Sequence, residues 1–336
     1  MMHQAVIAIV GLAAVSLPCA AQNWKPPRTP FGQPDLSGNW LNKSATPLER
    51  PKQLEGRASL TDEEVAEFRR RADRLFKHGN NDYAAGDNLF YAVLANPEVY
   101  KSPTATGTSD DMIEREFDHR TSLIVDPPDG RIPPYTPEGQ RRRAAGDAAT
   151  LGQNHPAGPE DLTTVMRCIS YGMPRLGGAH AAGQYAYYQI VQVPGYVVIF
   201  MEVIHQARII PLDGSSHLPP NVRTWDGDSR GHWDGNTLVV DTTNFSAKTN
   251  FMGSAENLHL VERFTRIGPD EIRYEITLDD PATWTKPWTA MVPLKRTDEK
   301  LYEFACHEGN ADTERGILLG AHAAEKAAGS SATKIQ

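Results

Sequence analysis

Glu202 is the residue that most invites a chemical reading. It lies in Tyr196-Val197-Val198-Ile199-Phe200-Met201-Glu202-Val203-Ile204-His205, whose two alternating sets are both apolar, the pattern of a strand covered on both faces. A carboxylate in such a strand must be paired, or held neutral by a raised pKa, because leaving it bare costs several kcal/mol. One reading is an ion pair with Arg208 or Arg263; the other is a general acid or base at a cavity wall, with His205 nearby in sequence. Glu262 raises the same question, sharing a strand face with Leu258, Leu260 and Phe264, while His259 and Arg263 point to the other side. Asp241, among Val239, Thr243 and Phe245, reads as a turn-bracing aspartate.

Two further groups carry chemistry. Asp226-Gly227-Asp228-Ser229-Arg230-Gly231 looks like a calcium loop but fails the EF-hand spacing, since Arg230 and Thr237 fall where oxygen ligands are needed. Asp228 and Arg230 bracing each other or a ligand is the better reading. Trp225 and Trp233 flank them, as an aromatic pocket mouth or as caps on a hairpin. His307-Glu308 follows Cys306 at the end of an expected last strand, where barrel mouths lie. His205, His217, His259 and His307 show no tight metal-ligand spacing with Glu202 or Glu308, so no metal is expected. There is no G-x-S-x-G, P-loop or dinucleotide fingerprint, and no cofactor is expected.

The elements that must position these residues change character along the chain. The 336 residues are 40% hydrophobic and 23% charged with net charge −8, enough to bury a core unaided and the wrong sign for a nucleic-acid binder. Ala5–Val15 is an apolar run, broken at Ser16-Leu17-Pro18 and followed by Cys19-Ala20-Ala21. That is the pattern of a secretory signal over residues 1–21 cleaved near Ala21, although no Lys or Arg precedes it, and it predicts a periplasmic or secreted protein. No segment is long enough to span a bilayer. Residues 22–160 read as a proline-rich arm with short helices and a hairpin packed on a barrel. Thr61 caps a helix running to His78, with Glu64 reaching back and Leu60 stapling onto Val65. A second helix covers Asn88–Ala95, a strand Arg120–Val125, and Pro137 starts a surface helix bearing Arg141, Arg142 and Arg143.

Residues 161–322 switch to a period of two. Strands are expected at Tyr185–Val193, Tyr196–Ile204, Thr237–Phe245, Leu258–Ile267, Glu271–Asp279, Thr289–Arg296 and Leu301–His307, joined by turns such as Pro194-Gly195 and Asp234-Gly235-Asn236. Short links between successive strands imply an antiparallel meander closing into a barrel, a mainly β (α+β) chain with an N-terminal helical insertion and irregular arm. Residues 323–336 read as a disordered tail. Cys168 and Cys306 remain after signal cleavage, and in an oxidising compartment they pair or stay as buried thiols. A bridge would close a loop of about 138 residues and contribute ~4–5 kcal/mol in the chain-entropy model.

Four blocks taken together carry a resemblance: Leu123–Pro134 (LIVDPPDGRIPP), Gly227–Phe245 (GDSRGHWDGNTLVVDTTNF), Leu258–Phe264 (LHLVERF) and Ala305–Asn310 (ACHEGN). The combination resembles a large group of secreted bacterial proteins, over about residues 30–322. It implies export and carries over no catalytic residue. A weaker resemblance is to lipocalin-like barrels, in Asp35-Leu36-Ser37-Gly38-Asn39-Trp40, where their Gly-x-Trp motif opens the first strand and the Trp plugs the barrel end.

The residues support two functions. The first is a cofactor-free acid–base enzyme of lyase, isomerase or hydratase type acting on a small apolar or aromatic compound in a barrel cavity. Its catalytic groups would be Glu202, His205, Glu262 and His307, with Trp225, Asp228, Arg230, Trp233, His259, Arg263 and Glu308 holding the ligand. The second is a non-catalytic small-molecule-binding barrel. An open pocket with Glu202 or Glu262 beside a histidine favours the enzyme, and a solid barrel core leaves room for neither.

Overall fold

In the computed structural model the described residues are 24–77, 87–95, 115–150, 155–174, 176 and 187–332. The expected signal segment, the end of the first helix at His78 and the Asn96-Pro97 stop of the second lie outside them. Ten strands form one sheet. They are β1 (Gly38–Asn42), β2 (Ile124–Asp126), β3 (Tyr187–Val193), β4 (Tyr196–Met201), β5 (Gln206–Pro211), β6 (Asp228–Asp234), β7 (Thr237–Thr243), β8 (His259–Gly268), β9 (Glu271–Asp279) and β10 (Trp288–Arg296).

The hydrogen-bonded order β5-β4-β3-β1-β10-β9-β8-β7-β6 is an antiparallel meander wrapped until its ends meet. β2 pairs with β10 beyond β1. Parity explains why closure stops short. Eight antiparallel steps lead from β5 round to β6, so these two strands run the same way. A parallel neighbour needs a long crossover rather than a hairpin. Residues 212–227 are that crossover, a strap returning along the outside. The seam itself is held by side chains. Gly231 of β6 permits it, since a Cβ there would stand 2.7 Å from Leu212 Cδ2 and 2.8 Å from Ile210 Cγ2.

β3, β4, β5, β8, β9 and β10 alternate, and the inward set packs inside the barrel: Tyr188, Ile190, Val197, Ile199, Ile210, Leu238, Val240, Leu260, Phe264, Ile272, Tyr274, Ile276, Val292 and Leu294 are all buried in one cluster. Trp40, wholly buried on β1, closes one end. Its indole donates to Leu36 O at 2.8 Å and the guanidinium groups of Arg266 and Arg296 lie 5.5 and 5.9 Å from its ring centre.

The arm makes a second, smaller core against the barrel's outside. Thr61 caps α1 (Asp62–Lys77) with the anticipated reciprocal bonds: Thr61 N donates to Glu64 Oε2 at 2.9 Å, Glu64 N to Thr61 Oγ1 at 3.3 Å. Val65, Phe68 and Ala72 of α1 pack on Leu89, Phe90 and Val93 of α2 (Asn88–Leu94) and on Phe117, with Phe68 edge-on to Phe90 at 5.3 Å. α3 (Pro137–Thr150) docks through Gly139, where a Cβ would meet Thr283 O at 2.4 Å.

Several expectations need correcting. β5 and β6 were hidden, being the seam strands that lack hairpin turns on that side, while β1 opens at the Gly38-Asn39-Trp40 motif of the lipocalin-like resemblance. Leu301–His307 forms no strand, because β10 already has β9 on one side and β1 and β2 on the other. The β4 strand ends at Met201 rather than Ile204, since residues 203–205 form a tight turn with Ile204 and His205 at positive φ, 55° and 44°. The tail expected from 323 is instead the continuation of α4 (Asn310–Ala332). Among the described residues no helix is long and apolar enough to cross a membrane.

Candidate functional site

The proposed catalytic groups do not converge. Glu262, on the inward face of β8, is completely buried and belongs to Arg208 of β5, whose Nη1 and Nη2 donate to its two oxygens at 3.0 and 2.6 Å. Arg208 Nη2 also reaches Ser229 of β6 (3.1 Å) and Thr242 of β7 (3.3 Å), and Tyr274 of β9 donates its hydroxyl to Glu262. Burial alone would lower the Arg208 pKa, but the charge and hydrogen bonds of Glu262 outweigh it and hold it above its ordinary value. Burial, with Glu262 beside it, pushes the Tyr274 hydroxyl well up. The arginine pairing anticipated for Glu202 therefore falls to Glu262. Its chemistry is to lace the open seam from inside, four strands being tied to one guanidinium.

Glu202 stands where β4 ends, and its Oε2 accepts the Tyr302 amide at 2.9 Å. Burial raises its pKa against that bond, with Glu299 adding repulsion. Tyr187 donates its hydroxyl to Glu299. His205 does not join Glu202, because the positive-φ turn sends it into solvent. His307 and Glu308 are exposed on the turn that follows the disulfide. Cys168 and Cys306 are bridged, with Cα atoms 5.7 Å apart.

The residues expected at a ligand mouth pin the crossover strap. His217, from the strap, sets Nδ1 3.0 Å from Asp228 Oδ2 and Nε2 3.0 Å from Asp241 Oδ1. Arg230 braces Asp228 as the sequence suggests (2.6 Å) and donates Nε to Ser216 O of the strap at 3.1 Å. His259 meets the other oxygen of Asp241 at 2.8 Å. Hydrogen bonding to His259 leads in lowering the Asp241 pKa, and the same bond raises that of His259. Trp225 is half-buried and its carbonyl accepts Thr249 Oγ1. Trp233 packs on the barrel cluster, and Arg263 pairs with Asp234 at the surface (2.8 Å). Among the described residues no three His, Cys, Asp or Glu side chains gather as a metal-ligand set.

Among the described residues a cleft of about 940 Å³ lies between the arm and the outer face of β9 and β10. Backbone pairing builds it. Glu116 N donates to Lys43 O at 2.7 Å and Ala45 N to Glu116 O at 2.9 Å, so residues 43–45, leaving β1, run beside residues 115–117. Ala72, Phe117 and Pro293 give apolar walls. Lys43, Arg69, Arg115 and Lys295 bring positive charge, and Asp73, Glu116, Asp118 and Glu271 bring negative. Some of these are matched: Lys295 holds Glu271 at 2.7 Å, and Arg120 holds Asp118 at 2.7 Å. Arg115 is not. It is 8% exposed, its Nη1 donates to Ser44 O at 3.1 Å, and its Nε and Nη2 have no partner among the described residues. Burial pushes its pKa down to about 10 against the pull of Asp87. Asp87 is the complementary oddity: its Oδ2 accepts the Leu48 amide at 3.2 Å, its Oδ1 is sealed from solvent without a partner, and burial raises its pKa to about 6.

Sequence reasoning missed all three of Lys43, Asp87 and Arg115. Each stands between polar, charged or glycine neighbours (Asn42 and Ser44, Gly86 and Asn88, Glu114 and Glu116), which gives no local signal of burial. Comparison with models of known protein families gives no match, and comparison with curated proteins gives none either.

Proposed function

We propose that this is an exported small-molecule-binding protein whose ligand lies in the cleft between arm and barrel. The observation that carries this is the placement of free volume. The inward side chains of the strands pack as one buried cluster, which supports a site outside the barrel, and the cleft has the size and mixed lining of a small-molecule site. The Cys168–Cys306 bridge supports an oxidising compartment. An apolar or aromatic body suits Ala72, Phe117 and Pro293. A cofactor-free lyase, isomerase or hydratase is the second reading. It is favoured only by Glu202, whose raised pKa suits an acid, but no histidine stands beside it among the described residues.

Saturation-transfer NMR with a library of aromatic fragments tests the first reading. Pro293→Trp fills the floor of the cleft from the outward face of β10 and leaves the barrel core untouched. Fragments that bind the wild type should lose their signal with this variant. Fragments bound equally by both, or none bound by either, would remove the cleft as the site.

A further inference from the structure

We infer that the ligand carries a single carboxylate, received by Lys43 and Arg115; this rests on the reading of the cleft as the binding site. The two cations are brought together by the pairing of residues 43–45 with residues 115–117. Both line the cleft. Lys43 is partly exposed and makes no ion pair among the described residues. Among the described residues Arg115 has no partner for the pair Nε and Nη2, the edge of the guanidinium that grips a carboxylate by two parallel bonds. Arg115 lines the cleft, and both nitrogens are shut off from solvent. Turning them outward breaks one bond, to Ser44 O, and relieves a buried charge that has no carboxylate within ion-pair distance among the described residues.

Charge sets the ligand class. Four cationic side chains on the lining face four carboxylates, so the cleft is formally neutral before His119 is counted. Lys295 matches Glu271, and Arg120, outside the lining, matches Asp118, so Lys43, Arg69 and Arg115 are left against Asp73 and Glu116; that excess of one positive charge suits a monoanion rather than a dianion such as a phosphate ester. The apolar side chains of Phe117 and Pro293 suit the body of an aromatic or branched acid rather than a bare ion.

Matched acids and amides decide it, namely benzoate against benzamide and 2-naphthoate against 2-naphthamide, titrated by NMR or calorimetry into the full chain. Each acid should bind about 10- to 100-fold more tightly than its amide, the worth of a charge-assisted pair. Lys43→Met and Arg115→Gln should each erase most of that preference and leave the amide affinity unchanged. If Arg115→Gln does not fold, Lys43→Met, a change at a partly exposed side chain, decides alone. Acids and amides binding equally would overturn the carboxylate and leave the cleft reading standing. Inorganic phosphate competing as well as the acids would overturn the monoanion. Failure of every probe to bind, or binding untouched by Pro293→Trp, would overturn both the inference and the reading beneath it.

Discussion

Two arginines taken out of water, Arg208 in the barrel and Arg115 in the arm, meet opposite treatment. Arg208 finds a carboxylate at 2.6 and 3.0 Å and two hydroxyls besides, and only its Nε lacks a partner. Arg115 finds one carbonyl, and two of its nitrogens have no partner among the described residues. The first arrangement holds the fold together, because every strand near the seam shares one charge. The second contributes little to the fold relative to the cost of its burial. A charge matched inside the protein is architecture, and a charge left half-matched at a cleft wall is where a ligand gains most.

The comparison breaks most readily at Glu262. Glu262→Ala leaves Arg208 charged and buried in a filled barrel, and should cost about 3–5 kcal/mol in chemical denaturation. The double variant Arg208→Met/Glu262→Leu should recover much of that loss, since two apolar side chains of similar volume replace the pair. Lys43→Ala, at the cleft, should stay within about 0.5 kcal/mol of wild type. A cost at Lys43 comparable to that at Glu262 would erase the distinction between the two regions.

Much of the barrel could be read from the chain because hairpins are local. Pro194-Gly195 and Gly268-Pro269-Asp270 each sit between two alternating runs, and β3–β4 and β8–β9 pair across them; Asp234-Gly235-Asn236 marks the β6–β7 turn, but β6 before it does not alternate. The seam was not legible, since it follows from the parity of a strand count and from Gly231, a residue whose role is visible only beside Ile210 and Leu212. Glu262 could be seen to need a partner, and Arg208 was among the arginines considered for Glu202; which carboxylate takes it depends on a closure that joins residues 54 apart. Lys43, Asp87 and Arg115 share no period, turn or motif. Lys43 and Arg115 meet through a short parallel bridge between Ser44 and Glu116, Asp87 is held apart from it by the Leu48 amide, and pairing of that kind leaves no mark in sequence.

Asp87 sharpens the contrast through pH. Its carboxyl is raised to about 6, above the ~3.9 of an unfolded aspartate, so the folded chain holds that proton more tightly than the unfolded one. The associated stability is present below about pH 4 and is lost as pH rises through about 6, by up to about 3 kcal/mol. Asp87→Asn keeps an acceptor for the Leu48 amide and cannot ionise. It should therefore match wild type at pH 4 and exceed it at pH 8, measured as the difference in unfolding free energy. Lower stability of the variant at pH 8 would mean that Asp87 is matched after all, like Glu262.

The smallest effect belongs to the strap, where charges are matched but wet. His259 has a raised pKa and Asp241 a lowered one, each chiefly through their shared hydrogen bond. The pair stabilises the fold only while the imidazole is protonated and the carboxylate ionised. That contribution fades as pH rises through the raised pKa of His259, above its ordinary value of about 6.5. It fades again as pH falls through the lowered pKa of Asp241, below about 4. Side chains 44% and 38% exposed are screened by water, so His259→Gln should cost about 0.5 kcal/mol near pH 5.5 and nothing at pH 9. Raising salt to 1 M should abolish even that difference and leave the penalty at Glu262 almost unchanged, because the Arg208 pair lies beyond the reach of mobile ions. A salt-insensitive loss at His259 would instead place this network among the buried supports of the seam, and make the strap as much a part of the barrel as its strands.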